Sequence, residues 1–134
     1  MSAAARVLVV DAANAVGTRP DGWWKDRAGA ASRLLAALEA AVEQGVAEEL
    51  SERHVVVVLE GRAKEAAAPD GSNRLEVVRA ARDGDTAIVD LVAARPGDDV
   101  LVVTSDRALR ERVEALGAQV RGAGWLRDLL APHE

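Results

Sequence analysis

Asp11, Glu60, Asp85 and Asp106 are the residues whose types and spacing point to chemistry. Asp11 follows the apolar run Val7–Val10, Glu60 ends "HVVVVLE" and Asp106 ends "DVLVVTSD". Asp85 opens the segment "GDTAIVDLVAARPG". Carboxylates brought together repel one another. At ~4 Å and an effective dielectric of ~20, each like pair costs about 4 kcal/mol. A protein relieves that cost by protonating one acid or by holding a cation. Hard oxygen donors, with no thiolate and no placed histidine, favour magnesium or manganese. Such ions activate water and neutralise charge on a phosphoryl group, so metal-assisted hydrolysis of a phosphate ester is the chemistry expected. Taken singly, each residue has a plainer reading. Asp85 and Asp106 are fair helix N-caps, Asn14 is a good turn residue, and Glu60 before a glycine reads as a solvated strand end. Acids at matching ends of three strands, with a fourth at a helix start, favour the cluster, and Glu60 is its weakest member.

These acids need elements to position them. Val7–Val10 is short, β-branched and apolar throughout, as in a strand buried on both faces. Residues 12–25 read as a loop holding Gly17, Pro20 and Gly22. A helix is expected from about Asp26 to Gln44, with Ala31, Leu34, Leu35, Leu38 and Val42 on one face, Asp26 as N-cap and Gly45 as the stop. A second buried strand runs from His54 to Glu60. The polar stretch "GRAKEAAAPDGSNR" follows, as a loop or a short helix, and "LEVVRAA" is a weaker third strand. A helix opening at Asp85 ends at Pro96 and Gly97. Val100–Val103 is the fourth strand. "RALRERVEALG" is an amphipathic helix with Leu109, Val113 and Leu116 inward and Gly117 as its stop. "AQVRG" is a short fifth strand, and "WLRDLL" is a closing helix whose Trp125, Leu126, Leu129 and Leu130 belong to the core. Alternating strands and helices, with strands apolar on both faces, predict a single three-layer α/β domain over 1–134 with a mainly parallel sheet. In such sheets ligands bind beyond the carboxyl ends of the strands, where the strand order reverses. If the fourth strand lies beside the first, Asp11 and Asp106 become neighbours there.

Composition narrows the class. The 134 residues suit one domain and contain no cysteine, which excludes disulfides and thiolate metal sites and fits a cytoplasmic location. No basic region followed by an apolar one opens the chain, and no apolar run approaches the ~20 residues of a membrane span. The net charge of −5 counts against a non-specific nucleic-acid coat but leaves room for a basic rim around an acidic centre. Other acid-dependent α/β sites fit worse. A haloacid-dehalogenase-type phosphatase needs an aspartate where Ala13 stands. A receiver domain needs paired acids at the first strand and a lysine after the fifth. An integrin-type metal site needs serines where Ala13 and Ala15 stand. No phosphate-binding Walker loop and no Gly-x-Ser-x-Gly elbow is present, and "GAGW" is too short for a dinucleotide fingerprint. The two histidines, His54 at a strand start and His133 in a terminal tail, are poorly placed for general-base work.

"VVDAANAVG", "VVVVLEG", "GDTAIVDLV" and "LVVTSDRALRERVEALGAQV" together resemble the NYN-domain branch of the PIN-like nucleases, including its small bacterial members. The resemblance runs over nearly the whole chain, in order. It implies a Rossmann-like five-stranded sheet of order 3-2-1-4-5, an acid cluster, Mg2+ or Mn2+, and RNA as substrate. By position, Asp11, Asp85 and Asp106 match the family's acids and Asn14 its asparagine three residues after the first acid. Glu60 falls where many members carry an aspartate. Ala12 and Ala13 replace a glycine and an aromatic residue, which removes a ring suited to stacking on a base. Small relatives of this kind include proteins described as nucleotide pyrophosphohydrolases, and both activities are metal-assisted attacks on phosphorus. A toxin-type PIN ribonuclease and a catalytically inactive module that binds RNA or protein are further alternatives. A homodimer and a protein partner are open.

"RPDGWWKDR" follows the first strand and so falls on the expected site side. Trp23 and Trp24 suit stacking on bases, and Arg19, Lys25 and Arg27 suit phosphate contacts. The competing reading buries one tryptophan against the helix and leaves the charges solvated. Arg62 and Lys64 follow the second strand, and a solvated loop is favoured for them. Arg107 is placed to bridge a carboxylate or a substrate phosphate. Thr104 and Ser105 are placed to bond a metal-bound water or to cap the next helix, with the cap favoured for Ser105.

Overall fold

A computed structural model describes residues 5–16, 26–45, 50, 53–66 and 75–130. The strands are β1 (Arg6–Asp11), β2 (His54–Leu59), β3 (Leu75–Arg79), β4 (Asp99–Val103) and β5 (Gln119–Arg121). The helices are α1 (Ala12–Val16), α2 (Arg27–Gln44), α3 (Gly84–Ala93), α4 (Arg107–Ala115) and α5 (Ala123–Leu130), with a 3-10 turn at Gly61–Glu65. The sheet is parallel throughout and ordered β3-β2-β1-β4-β5, as expected. Among the described residues no helix is long and apolar enough to cross a membrane.

The valine-rich strands are explained by the two cores they serve. Side chains alternate across a strand. Leu8, Val10, Val55, Val57, Leu59, Leu101 and Val103 pack with α1, α2 and α5 on one face. Val7, Val9, Val56, Val58, Val100 and Val102 pack with Ile88, Val92, Leu109 and Val113 of α3 and α4 on the other. Neither face meets water, so no polar alternation survives in the sequence. Trp125 lies partly buried against the first core, as expected.

Local chemistry sets the helix ends. The Asp26 carboxylate accepts the Gly29 N–H at 2.9 Å, and Gly45 closes α2 in the left-handed conformation at φ 61°.

Three expectations change. Residues 12–16 are helix rather than loop. Ala12, Ala15 and Val16 bury one face, and the Asp11 carboxylate accepts the Asn14 N–H at 3.3 Å in the manner of an N-cap. The helix expected to open at Asp85 begins at Gly84 and is capped by Asp83, whose carboxylate accepts the Thr86 N–H at 2.7 Å. Leu116 is 47% exposed because α4 ends at Ala115, so the helical spacing does not reach it. Ala118 is buried instead.

Candidate active site

Parallel register decides which strand ends meet. Val10 of β1 stands opposite Val103 of β4, so Asp11 and Thr104, one residue further, lie side by side beyond the ladder. The Thr104 hydroxyl, fully buried, donates to Asp11 Oδ2 at 2.9 Å and accepts the Asp106 N–H at 3.1 Å. Asp106 caps α4 by accepting the Leu109 N–H at 3.0 Å. Two aspartates at neighbouring strand ends therefore each cap the helix that follows, and one threonine hydroxyl joins them. The plain capping reading holds for Asp106, and the two caps fix the Asp11 and Asp106 carboxylates at the sheet's carboxyl edge.

Glu60 arrives from β2. Its Oε2 accepts the Gly84 N–H at 2.7 Å, the first amide of α3. A β-carbon on Gly84 would come within 3.3 Å of the Glu60 carboxyl carbon, so the close approach suits glycine. Glu60 is thus a bracket that draws α3 against the edge, not a solvated strand end. Asp85 follows in the first turn of α3. Among the described residues none donates a hydrogen bond to its carboxylate.

Burial, and then the Asp106, Glu60 and Asp83 carboxylates, push the Asp85 carboxyl above its ordinary 3.8, while Arg112 acts in the opposite sense. Burial is also the main cause that raises Asp11, opposed by the Thr104 hydroxyl and the Asn14 N–H and reinforced by Asp85 and Glu60. Asp83 moves the other way, held down by the amide and hydroxyl of Thr86. Asp11, Glu60, Asp85 and Asp106 therefore share one electrostatic neighbourhood. Among the described residues, however, no three acidic or histidine side chains converge on a single point as a ready-made metal cage. Glu60, Asp106 and Asp11 each commit oxygen to a neighbouring donor. Asp85, Oε1 of Glu60 and Oδ2 of Asp106 are not so committed. The donor set is all hard oxygen, which fits Mg2+ or Mn2+ by type.

The other expected site residues divide. Asn14 sits at the edge in α1, and its Oδ1 accepts the Ser105 N–H at 2.7 Å. The Ser105 hydroxyl does not cap the helix that follows it, a role taken by Asp106. It accepts the Ala123 N–H at 2.9 Å and so ties the start of α5 to the loop after β4. Arg107 is exposed beside Asp106 and forms no ion pair among the described residues. Arg27 begins α2 and lines a small pocket with Ala12, Ala13, Val16, Ala31 and Ala63. Arg19, Trp23, Trp24 and Lys25 lie outside the described residues, as does the side chain of Arg62. Lys64 is half-buried, and its ammonium donates to the Ala80 carbonyl at 3.1 Å rather than pointing freely into solvent. His54 lies within 3.1 Å of Glu76, away from the acids. Arg112 was not legible in the sequence as part of the site. The only signal is its place on α4, one residue before the buried Val113 and so close to the α3–α4 seam.

With this geometry in place, the chain can be compared with known proteins. No protein-family model matches it, and no curated protein does either. Solved structures do match, among them two of one protein. Rae1 (YacP) from Bacillus subtilis is 23% identical with a TM-score of 0.66, over 92% of this chain and 72% of that one. A single-residue mutant of the same Rae1 is 22% identical with a TM-score of 0.64, over 92% and 73%. The chain shares the fold of Rae1. That is the five-stranded arrangement which the NYN and PIN-like resemblance implied.

Two consequences of the site's electrostatics can be measured. Thr104→Val deletes a buried hydroxyl that serves Asp11 and Asp106 at once. It is expected to cost about 1–3 kcal/mol of stability and to raise the Asp11 carboxyl further, read by thermal melting and by carboxyl titration in NMR. The second concerns pH. A carboxyl raised above its unfolded value makes the native state hold the extra proton between the two values. Its contribution to stability is present below the unfolded value and is lost as pH rises through the folded one. The stability difference between Asp85→Asn and the native protein is therefore expected to be largest at neutral pH. It should shrink as pH falls through the raised Asp85 value towards 3.8. Denaturant melts across that range check it, and a difference that grows on acidification contradicts the raised carboxyl.

Proposed function

We propose that this protein is a divalent-metal-dependent phosphodiester hydrolase acting on RNA. One observation carries the reading. Asp11, Glu60, Asp85 and Asp106 come from separate elements to one carboxyl edge of a parallel sheet, and burial and mutual repulsion raise two of them. An edge built to hold uncompensated negative charge is an edge built for a cation. The resemblance of "VVDAANAVG" and "TSDRALR" to the NYN nucleases points from that edge to RNA.

Asp11, Asp85 and Asp106 are the residues that would hold Mg2+ or Mn2+, with Glu60 in support. When bound, the ion would supply charge neutralisation at phosphorus and a more acidic water. The chain's own residues do the rest. Thr104 fixes the orientation of Asp11, Glu60 keeps α3 and hence Asp85 in reach, and Asn14 stands beside the scissile linkage. Arg112 tempers the negative field at Asp85, and Arg107 is placed for a flanking phosphate. The absence of cysteine and of a placed histidine favours direct attack by water over a covalent enzyme intermediate.

The deciding experiment is a screen of Mg2+ and Mn2+ against single-stranded RNA, single-stranded DNA and free nucleotides, with Asp106→Asn as control. Asparagine keeps the cap on α4, so that variant should fold and fail to cleave. RNA cleavage that needs metal and Asp106 is the expected result. Turnover of free nucleotides instead identifies a nucleotide hydrolase, and RNA binding without turnover identifies a binding module. Cleavage unchanged in Asp106→Asn overturns the mechanism.

A further inference from the structure

Asn14 has a polarity that its neighbours decide. Its Oδ1 accepts the Ser105 N–H at 2.7 Å, and a backbone N–H can only donate. The carboxamide is therefore oriented without ambiguity, oxygen on Ser105 and nitrogen elsewhere. Its own backbone N–H is spent on Asp11 Oδ1 at 3.3 Å. No acceptor takes up the Nδ2 protons among the described residues. The side chain is only half-buried, so a ligand can reach it. The Ser105 loop is in turn held by Ala123 at 2.9 Å and by the Thr104 N–H, which donates to the Arg121 carbonyl at 2.9 Å. Asn14 is thus a rigidly presented N–H donor beside carboxylates that already have donors of their own. Its oxygen is engaged, which disfavours it as a metal ligand or as an acceptor for a catalytic water.

We infer that Asn14 Nδ2 donates to a non-bridging phosphate oxygen of the bound strand, stabilising the charge that grows there as phosphorus is attacked. This rests on the hydrolase reading above and assigns Asn14 to the substrate, not to the metal. A donor fixed in advance towards developing charge costs no reorganisation when the reaction occurs, and removing one typically costs about 100- to 1,000-fold in kcat.

Asn14→Asp and Asn14→Ala separate the two faces of the side chain. Aspartate keeps an oxygen for the Ser105 N–H and loses the donor, whereas alanine loses both. The aspartate variant is expected to melt close to the native protein while kcat falls about 100-fold or more and KM moves less. A purely structural Asn14 predicts the reverse, with aspartate rescuing what alanine loses. Because aspartate also adds charge, a direct measurement accompanies the kinetics. The Asn14 side-chain amide signals are followed by 15N NMR with calcium in place of magnesium. A short single-stranded RNA is added, and separately the same strand with methylphosphonate linkages. Movement of the signals with the phosphodiester strand and not with the methylphosphonate supports the inference. Native-like kcat in Asn14→Asp, or signals that ignore the phosphodiester strand, overturns it. If the native protein cleaves no RNA at all, the hydrolase reading fails on its own, and the amide signals still decide whether Asn14 binds phosphate.

Discussion

Asp85→Asn is expected to lower metal-dependent RNA cleavage by about a thousandfold or more while leaving the protein as stable at neutral pH as before, or more stable. The two halves have one cause. Asp85 accepts no hydrogen bond among the described residues and sits in the field of Asp106, Glu60 and Asp83. Replacing it removes repulsion and breaks no bond. Its place in the first turn of α3 gives the charged form a modest favourable interaction with the helix dipole, typically about 0.3–1 kcal/mol, which offsets part of the gain. The net change is therefore small and in the stabilising direction, against a loss of function several times larger in free energy. Such trade-offs mark residues kept for chemistry at a cost in stability. Initial rates in Mg2+ and Mn2+, together with denaturant melts of both proteins, check the two halves. A variant that still cleaves removes Asp85 from the mechanism. One that loses activity because it has lost several kcal/mol of stability makes Asp85 a structural residue.

The largest effect on stability is expected at the other end of the sheet. Arg53, only 5% exposed, immediately precedes β2. Its guanidinium donates to the Val7 carbonyl of β1 and the Asp99 carbonyl of β4, both at 3.1 Å, and to both carboxylate oxygens of Asp99 at 3.2 Å. One side chain thus ties the amino-terminal ends of three adjacent strands. Arg53→Ala strands two carbonyls and a carboxylate. Removing one partner of a buried pair costs about 3–5 kcal/mol. Asp99 is 41% exposed and retains Arg6 at 3.4 Å, so a loss nearer 3 kcal/mol is expected. For a domain of this size that lowers the melting temperature by roughly 10 °C. Arg53→Lys should recover only part of the loss, since an ammonium cannot reproduce the forked contacts. Cleavage per folded molecule should be unchanged, because the acids lie at the opposite edge. A melting temperature within a degree or two of the native one refutes the role.

These contrasting predictions show what could be read from the chain and what could not. Strands β1, β2 and β4 were legible because both of their faces are covered, and that leaves uninterrupted valine and leucine runs. The helices were legible from apolar spacing and from capping aspartates and glycines. Asp11 and Glu60 were legible as candidates because each carboxylate directly follows a buried apolar run. Less could be read where an outcome depends on partners distant in sequence. Residues 12–16 looked like loop because five residues are too few for periodicity to register, and only packing against α2 and the Asp11 cap make them helical. Asp83 rather than Asp85 caps α3, and Glu60, 24 residues before Gly84, takes that helix's first amide, a contact with no local trace. The role of Arg53 was not legible, since nothing local announces Asp99, 46 residues away.

The opening "VVDAANAVG" sums up the division. By itself the sequence determined that a buried strand ends in Asp11 and that Asn14 follows three residues later, because an apolar run is a local signal. Tertiary structure decided what those residues face. Parallel pairing of β1 with β4 sets Thr104 against Asp11, and the loop after β4 takes the oxygen of Asn14. Hydrogen bonds across 91 and 93 residues leave no local trace, yet they determine which atoms of the site remain available to a ligand.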